Sequence, residues 1–234
     1  VGVRLVPHST NSTDSFIAQI HADLVSPEMT SLFTWWSTYR AEELVNDDLV
    51  LDMTSLWDAH SSEYPAALRQ AFSIDGRTYG WPYIIEYYPV WYSKKLFDRL
   101  GLAEPRNWEE FIRLCEDLKA AGVTPILSSL QGGWPSFIWF EEMIIGEDPD
   151  LYVDLCEGRA RYTDPRVRKA LDVWGDMIAR GYFPDPATRM ITDGGHLWNT
   201  EQFGMVLIGS WYYGSVLVSH GVPPEAIRAF ILPS

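Results

Sequence analysis

The segment GWPYIIEYYPVWYSKKLF, residues 80–97, constrains the fold of this chain more than any other stretch. At the two-residue period of a strand, Trp81, Tyr83, Ile85, Tyr87, Pro89 and Trp91 share one side, and Pro82, Ile84, Glu86, Tyr88, Val90 and Tyr92 share the other. Both sides are mostly apolar, which excludes an ordinary strand with one face in water. Pro89 has no N–H to give and is out of place in a central ladder. The pattern fits a strand that leaves one packed body and enters another, with the alternation breaking at the proline.

The rest of the chain alternates strand-like and helical signals, the pattern of an α/β protein. VGVRLVP (1–7) and SLFTWW (31–36) read as strands, Asp14 to Val25 and Arg40 to Asn46 as helices, and 49–58 as an apolar stretch with a turn. AFSIDGRTYGWPY (71–83) reads as two strands joined by an Asp75-Gly76 turn. Asn107 with Glu110 forms a capping box before an apolar stripe of Phe111, Leu114, Cys115 and Leu118, and Gly122 ends that helix. VTPILSS (123–129) reads as a buried strand, followed by helices at 134–145 and 150–157. Asp164-Pro165 opens a helix with an expected stripe of Val167, Leu171, Trp174 and Ile178, closed by Gly181. FGMVLIG (203–209), Trp211 to His220 and AFILPS (229–234) complete the chain as strand, helix and strand. The expected organisation is a first lobe at 1–88, a second lobe at 89–199 and a return toward the first lobe at 200–234.

The formal net charge is −14, which disfavours nucleic-acid binding through phosphates. No apolar run reaches the roughly 18 residues of a membrane span. Cys115 and Cys156 sit in separate helical segments and read either as a disulfide or as two buried thiols. No Walker A, Rossmann glycine pattern, HExxH or GxSxG motif occurs, and the cysteines lack a partner at metal-ligand spacing. No catalytic residue, metal site or cofactor is therefore assigned. Paired acidic residues leave a glycoside hydrolase open. Glu86 draws attention because it lies inside the aromatic segment, where a carboxylate needs a partner. It reads as a structural acceptor, as an acceptor for a ligand hydroxyl or as a catalytic group. Glu141 and Glu142 read as solvent-facing positions on a helix.

What the composition adds is aromatic excess, at 14% with 11 tryptophans. The rings fall in four clusters: Trp35-Trp36, residues 79–92, Trp134 with Phe137-Trp139-Phe140, and Trp211-Tyr212-Tyr213. The last three adjoin glycines (Gly80, Gly132-Gly133, Gly209 and Gly214), where backbone turns sharply or approaches a ligand closely. A pyranose offers an apolar C–H face to such a ring and a hydroxyl rim to Asp, Glu, Asn or Arg. A concave site is needed to bury it. Trp211, Tyr87, Trp134 and Trp36 each read as ligand platform or as core. Trp35 is a core partner of Trp36 or the reverse, and Trp174 belongs to the core.

Six stretches in order resemble the extracellular solute-binding proteins of bacterial sugar ABC transporters, the maltose-binding-like family. They are AEELVNDDLVLDMTSL (41–56), DGRTYGWPYIIEYYPVWYSKKLFDRLGL (75–102), PRNWEEFIRLCEDLKAAGVTPI (105–126), GGWPSFIWFE (132–141), YTDPRVRKALDVWGDMIARGYF (162–183) and FGMVLIGSWYYG (203–214). The resemblance implies a two-lobed periplasmic-binding-protein fold with crossover segments, incomplete here at both ends, the lipoprotein cysteine, first strand and final helices lying outside this sequence. It implies a monomer that binds a mono- or oligosaccharide in an interlobe cleft, without catalysis, and delivers it to the membrane permease of an ABC importer. The location implied is extracytoplasmic, in the periplasm or lipid-anchored on the outer face of the membrane. By position, ligand contacts come from Trp35, Trp36 and Ser37, from Glu86 and Tyr87 in the crossover, and from Trp134 and Trp211. Thr30-Ser31 stands where similar proteins often carry Pro-Asp, and Tyr92-Ser93 where Tyr-Asn is usual. A glycoside hydrolase or a lectin-like module is the alternative.

Overall fold

A computed structural model describes residues 2, 4–10, 12–27, 30–130 and 133–233, which fall into two compact units, 1–85 and 86–234. In the first unit, α1 (Thr13–Leu24) starts at Ser12, whose Oγ accepts the Ser15 N–H at 3.3 Å. A 3₁₀ turn (Thr38–Ala41) runs into α2 (Glu42–Asn46), and α3 (Thr54–Ala59) and α4 (Ala66–Ala71) follow. Ile20, Leu24 and Leu44 form a small buried core with Phe16, Phe33, Trp35, Leu49 and Val50 against it. The hairpin of β1 (Ser73–Ile74) and β2 (Arg77–Thr78) turns at Asp75 and Gly76, both with positive φ (50° and 77°), as a two-residue primed turn requires.

Two expected strands of this unit do not form. Residues 4–7 and 31–36 belong to no strand, and Val1 and Val3 lie outside the described residues. An extended run becomes a strand only when a neighbour takes up its N–H and C=O groups. Among the described residues of this unit, the only ladder is the two-residue hairpin. The same reason shortens the aromatic segment. Residues 81–89 pair in no ladder, and the strand proper, β3 (Val90–Ser93), begins just after Pro89.

The second unit is built on β3. Helix α5 (Lys94–Leu100) follows it, capped by Ser93, whose Oγ accepts the Leu96 N–H at 3.3 Å. Then come α6 (Trp108–Ala120), β4 (Thr124–Leu127), α7 (Trp134–Glu147), α8 (Pro149–Cys156), α9 (Pro165–Ala179), α10 (Gly194–Asn199), β5 (Phe203–Leu207) and β6 (Ile227–Phe230). The sheet order is β4-β5-β3-β6. β4 lies parallel to β5, and β3 is antiparallel to both β5 (Val90↔Leu207, Tyr92↔Met205) and β6 (Val90↔Phe230, Ser93↔Ile227). Residues 200–234, expected to turn back toward the first lobe, supply β5 and β6 to this sheet. All five residues of β5 are buried, as expected of a strand covered on both faces.

Helix α6 follows its sequence signals closely. Asn107 Oδ1 accepts the Glu110 N–H at 2.9 Å, and Phe111, Leu114, Cys115 and Leu118 are buried. Glu110 differs from the reciprocal box: its carboxylate takes the Arg106 N–H (2.8 Å) and guanidinium (2.7 Å) instead of the Asn107 N–H. In α9 the buried residues are Val167, Ala170 and Met177, while Leu171 and Ile178 are exposed. Positions i+3 and i+4 both satisfy the helical period, and packing of α9 on α7 selects the former. Trp174 packs against the main core as expected. Both cysteines are free, Cys115 buried in that core and Cys156 exposed, so neither a disulfide nor a pair of buried thiols is present.

Two carboxylates at helix starts, Glu110 in the first turn of α6 and Asp164 at the cap of α9, make stability sensitive to acid. Bonds from Arg106 hold the Glu110 carboxyl down at about 2, and bonds from Arg166 hold Asp164 at about 2. In the unfolded chain these groups titrate near their ordinary values, about 4.3 and 3.9. Between those values and pH 2 the unfolded state therefore binds more protons, so the stability they contribute is full above about pH 4.5 and is lost as pH falls through the folded values. Urea midpoints measured from pH 6 to pH 2 are expected to fall along this limb, and to fall less steeply in Arg106→Ala.

Candidate functional site

At the start of the second unit, residues 86–89 run beside residues 208–211. Ser210 N–H donates to Tyr87 C=O at 2.7 Å, Tyr87 N–H donates to Ser210 Oγ at 3.2 Å, and Ile208 N–H donates to Pro89 C=O at 3.4 Å. The Trp91 indole N–H also donates to Ile208 C=O at 3.2 Å. Pro89 thus gives its carbonyl to the pairing, and its missing N–H costs nothing on this side. The Glu86 carboxylate closes the arrangement: Oε2 accepts the Trp211 N–H at 2.9 Å and the Ser210 hydroxyl. Oε1 has no hydrogen-bond partner among the described residues.

Two rings converge on this turn. Trp134, the first residue of α7, lies with its ring centroid 5.9 Å from that of Trp211, at 55° between planes. Trp211 is half-buried and Trp134 is 40% exposed, so each keeps ring surface open. Tyr87, paired through its backbone with Ser210, is 67% exposed. Gly209 makes the ring position available: a Cβ there would lie 2.5 Å from Trp211 Nε1 and 2.7 Å from its Cδ1. Behind this layer Tyr212 is buried and donates to Met190 C=O at 2.8 Å, and Tyr213 stacks on Trp91 at 5.7 Å.

The surroundings are acidic. Burial, then the charges of Glu141, Glu86 and Glu142, push the Tyr88 hydroxyl upward. Burial raises the carboxyls of Glu141 and Glu142, and Glu141 adds to the shift of Glu142. Glu141 is exposed on α7, as its helix position suggested, and Glu142 is half-buried. Among the described residues no group of three or more His, Cys, Asp or Glu is arranged to hold a metal ion.

The first unit carries its own aromatic groups. Trp35 is the core member of its pair: its indole N–H donates to Arg40 C=O at 2.9 Å, and its ring meets Phe16, His21 and Phe33 within about 6 Å. Trp36 is 40% exposed and carries the Arg40 guanidinium 4.9 Å from its ring centre. Ser37 follows, half-buried, and its carbonyl accepts the Thr38 hydroxyl at 2.6 Å. Thr38 has φ 61°, an uncommon conformation for a β-branched residue. A second knot was not read from sequence. Trp57, fully buried, donates to Gly80 C=O at 2.6 Å, and Trp81 lies 4.7 Å from it and donates to Tyr64 OH at 3.1 Å. Of the expected residues, then, Glu86, Tyr87, Trp134 and Trp211 come together in one unit, and Trp35, Trp36 and Ser37 in the other.

The second unit thus carries two half-open rings beside a hydrogen-bonded turn whose N–H and hydroxyl groups are held by the Glu86 carboxylate. Comparison with known proteins is more specific: residues 2–234 match the bacterial extracellular solute-binding protein family, and the chain belongs to it. Its members are binding proteins rather than enzymes. An uncharacterized ABC transporter extracellular-binding protein, PH1039 of Pyrococcus horikoshii, is 27% identical over 77% of this chain and 50% of its own. A probable sugar-binding periplasmic protein of Rhizobium meliloti is 27% identical over 74% of this chain and 42% of its own. The structure of the bacterial solute receptor AcbH, described with an exclusive preference for β-D-galactopyranose, superimposes with a TM-score of 0.75 at 25% identity, covering 97% of this chain and 57% of that one. The α/β fold class expected from sequence is thus that of the family. The chain spans about half the length of the curated relatives it matches.

The two rings of the first unit are separable by stability. Trp35→Ala is expected to cost about 2–3 kcal/mol in chemical denaturation, and Trp36→Ala about 1 kcal/mol or less. Equal costs would contradict the assignment of Trp35 to packing and Trp36 to an open surface.

Proposed function

We propose that the protein binds a mono- or oligosaccharide outside the cytoplasm and hands it to the membrane permease of an ABC importer. The observation that carries the reading is the Trp134–Trp211 pair, half-open on a turn fixed by hydrogen bonds, in a chain that belongs to the solute-binding family. The curated relative named for sugar binding and the galactopyranose receptor AcbH support the same ligand class. Trp211 and Trp134 cover the apolar face of a sugar ring. The Tyr87 hydroxyl and Glu86 Oε1 accept or share hydrogen bonds with its hydroxyls. In the first unit Trp36 supplies a second open ring, with Ser37 beside it and Trp35 holding it from behind. The protein acts as a monomer and performs no catalysis, in the periplasm or lipid-anchored on the outer face of the membrane. The hydrolase and lectin readings are set aside, because the family is one of solute-binding proteins.

Calorimetric titration of the full-length protein with mono- and oligosaccharides, a peptide and a polyamine tests the ligand class. Sugar binding is expected. Failure of every sugar together with tight binding of a peptide or polyamine would overturn the reading. Trp211→Ala is expected to weaken sugar binding about 30-fold, as for other central aromatic anchors, while the thermal midpoint moves only a few degrees.

A further inference from the structure

We propose that Glu86 is a positioning residue: through its Oε2 it fixes the orientation of the Trp211 ring at the binding surface. Residues 211–220 form a continuous helical stretch with a π-type segment at Tyr213–Leu217. The first N–H groups of such a stretch have no acceptor within it and carry partial positive charge. A residue at the helix start usually accepts them. Here the acceptor for the Trp211 N–H is a carboxylate 125 residues earlier in the chain.

Ser210, in the usual capping position, is used differently. Its hydroxyl donates to Glu86 Oε2 and accepts the Tyr87 N–H at 3.2 Å, while its own N–H donates to Tyr87 C=O at 2.7 Å. Four hydrogen bonds thus tie residues 86–87 to 210–211. They set the backbone from which the indole projects, and the missing Cβ of Gly209 lets the indole fold back over that backbone. Loss of the carboxylate leaves the Trp211 N–H without its acceptor and the Ser210 hydroxyl without its own, so the ring loses its fixed direction. The consequence for sugar affinity rests on Trp211 serving as a platform, as proposed above. The orientation of the ring does not.

The test is fluorine NMR on the ligand-free full-length protein labelled with 5-fluorotryptophan, with the Trp211 signal assigned by Trp211→Phe. Glu86→Ala is expected to shift or broaden the Trp211 signal and that of the adjacent Trp134, leaving the signals of buried Trp57 and Trp139 in place. Glu86→Gln keeps an acceptor oxygen and is expected to return the Trp211 signal close to its original position. Gly209→Ala is expected to displace it with Glu86 intact. Sugar affinity is expected to fall about tenfold in Glu86→Ala, which removes the acceptor of both the Trp211 N–H and the Ser210 hydroxyl, and to recover in part in Glu86→Gln, which keeps an uncharged acceptor oxygen. Should Glu86→Ala unfold, shown by movement of the Trp57 and Trp139 signals, Ser210→Ala takes its place with the same expected shift at Trp211. A Trp211 signal unmoved in the folded variant would overturn the proposal, even if sugar affinity fell, because a residue that only touches ligand leaves the free ring undisturbed. If the unaltered protein bound no sugar, the functional reading would fail, while a shifted Trp211 signal would still support the positioning role.

Discussion

The second unit depends on one pairing: residues 86–93 lying against residues 205–211. Its lower half is an antiparallel ladder in which Val90 faces Leu207 and Tyr92 faces Met205. Its upper half continues past the ladder, through Pro89 C=O, both backbone groups of Tyr87 and the Glu86 carboxylate. β3 is also hydrogen-bonded to β6 on its other side, so it cannot move without disturbing the centre of the sheet. A rigid strand thereby carries its fixed register up to an irregular turn. A side chain on such a turn is held more firmly than one on a loop alone.

The aromatic excess divides along this line. Val90 and Tyr92 face into the core, where Tyr92 packs on Phe97 and Phe230 and gives its hydroxyl to Glu104 at 2.7 Å. Trp91 stacks on Tyr213 and spends its N–H on Ile208 C=O, which makes it structural. Upstream of Pro89 no sheet covers the chain, and Tyr83, Tyr87 and Tyr88 are exposed. The division at the proline is not complete, since Trp81, also upstream, packs on Trp57 and donates to Tyr64 OH. Trp139 and Trp198 are buried in the main core, and Trp57 is buried in the first unit, where it also donates to Gly80 C=O.

Local chemistry made much of the fold legible from the sequence. The caps at Asn107 and Asp164 could be read because side chain and N–H lie within three residues of one another. The Asp75-Gly76 turn could be read because few residue pairs adopt two successive positive φ angles. Strands at 4–7 and 31–36 were misread because apolar runs do not reveal whether a partner exists. The buried face of α9 leaned toward Ala170 and Met177 because a neighbouring helix, invisible to periodicity, chose between two adequate stripes. For the candidate site, glycine-flanked rings pointed to Trp211 and Trp134. The Glu86–Ser210–Trp211 bonds could not be read, since they join residues more than 120 apart and depend on the register of β3 with β5. The Trp57–Trp81 knot escaped for the same reason at shorter range.

The proposed role of the Trp134–Trp211 surface is to receive a sugar. A crystal structure of the full-length protein with a bound saccharide tests it most directly. The expected result is a pyranose ring whose C–H face lies against the indole of Trp211 or Trp134, with the Glu86–Trp211 hydrogen bond intact. A bound sugar that touches neither indole would contradict it.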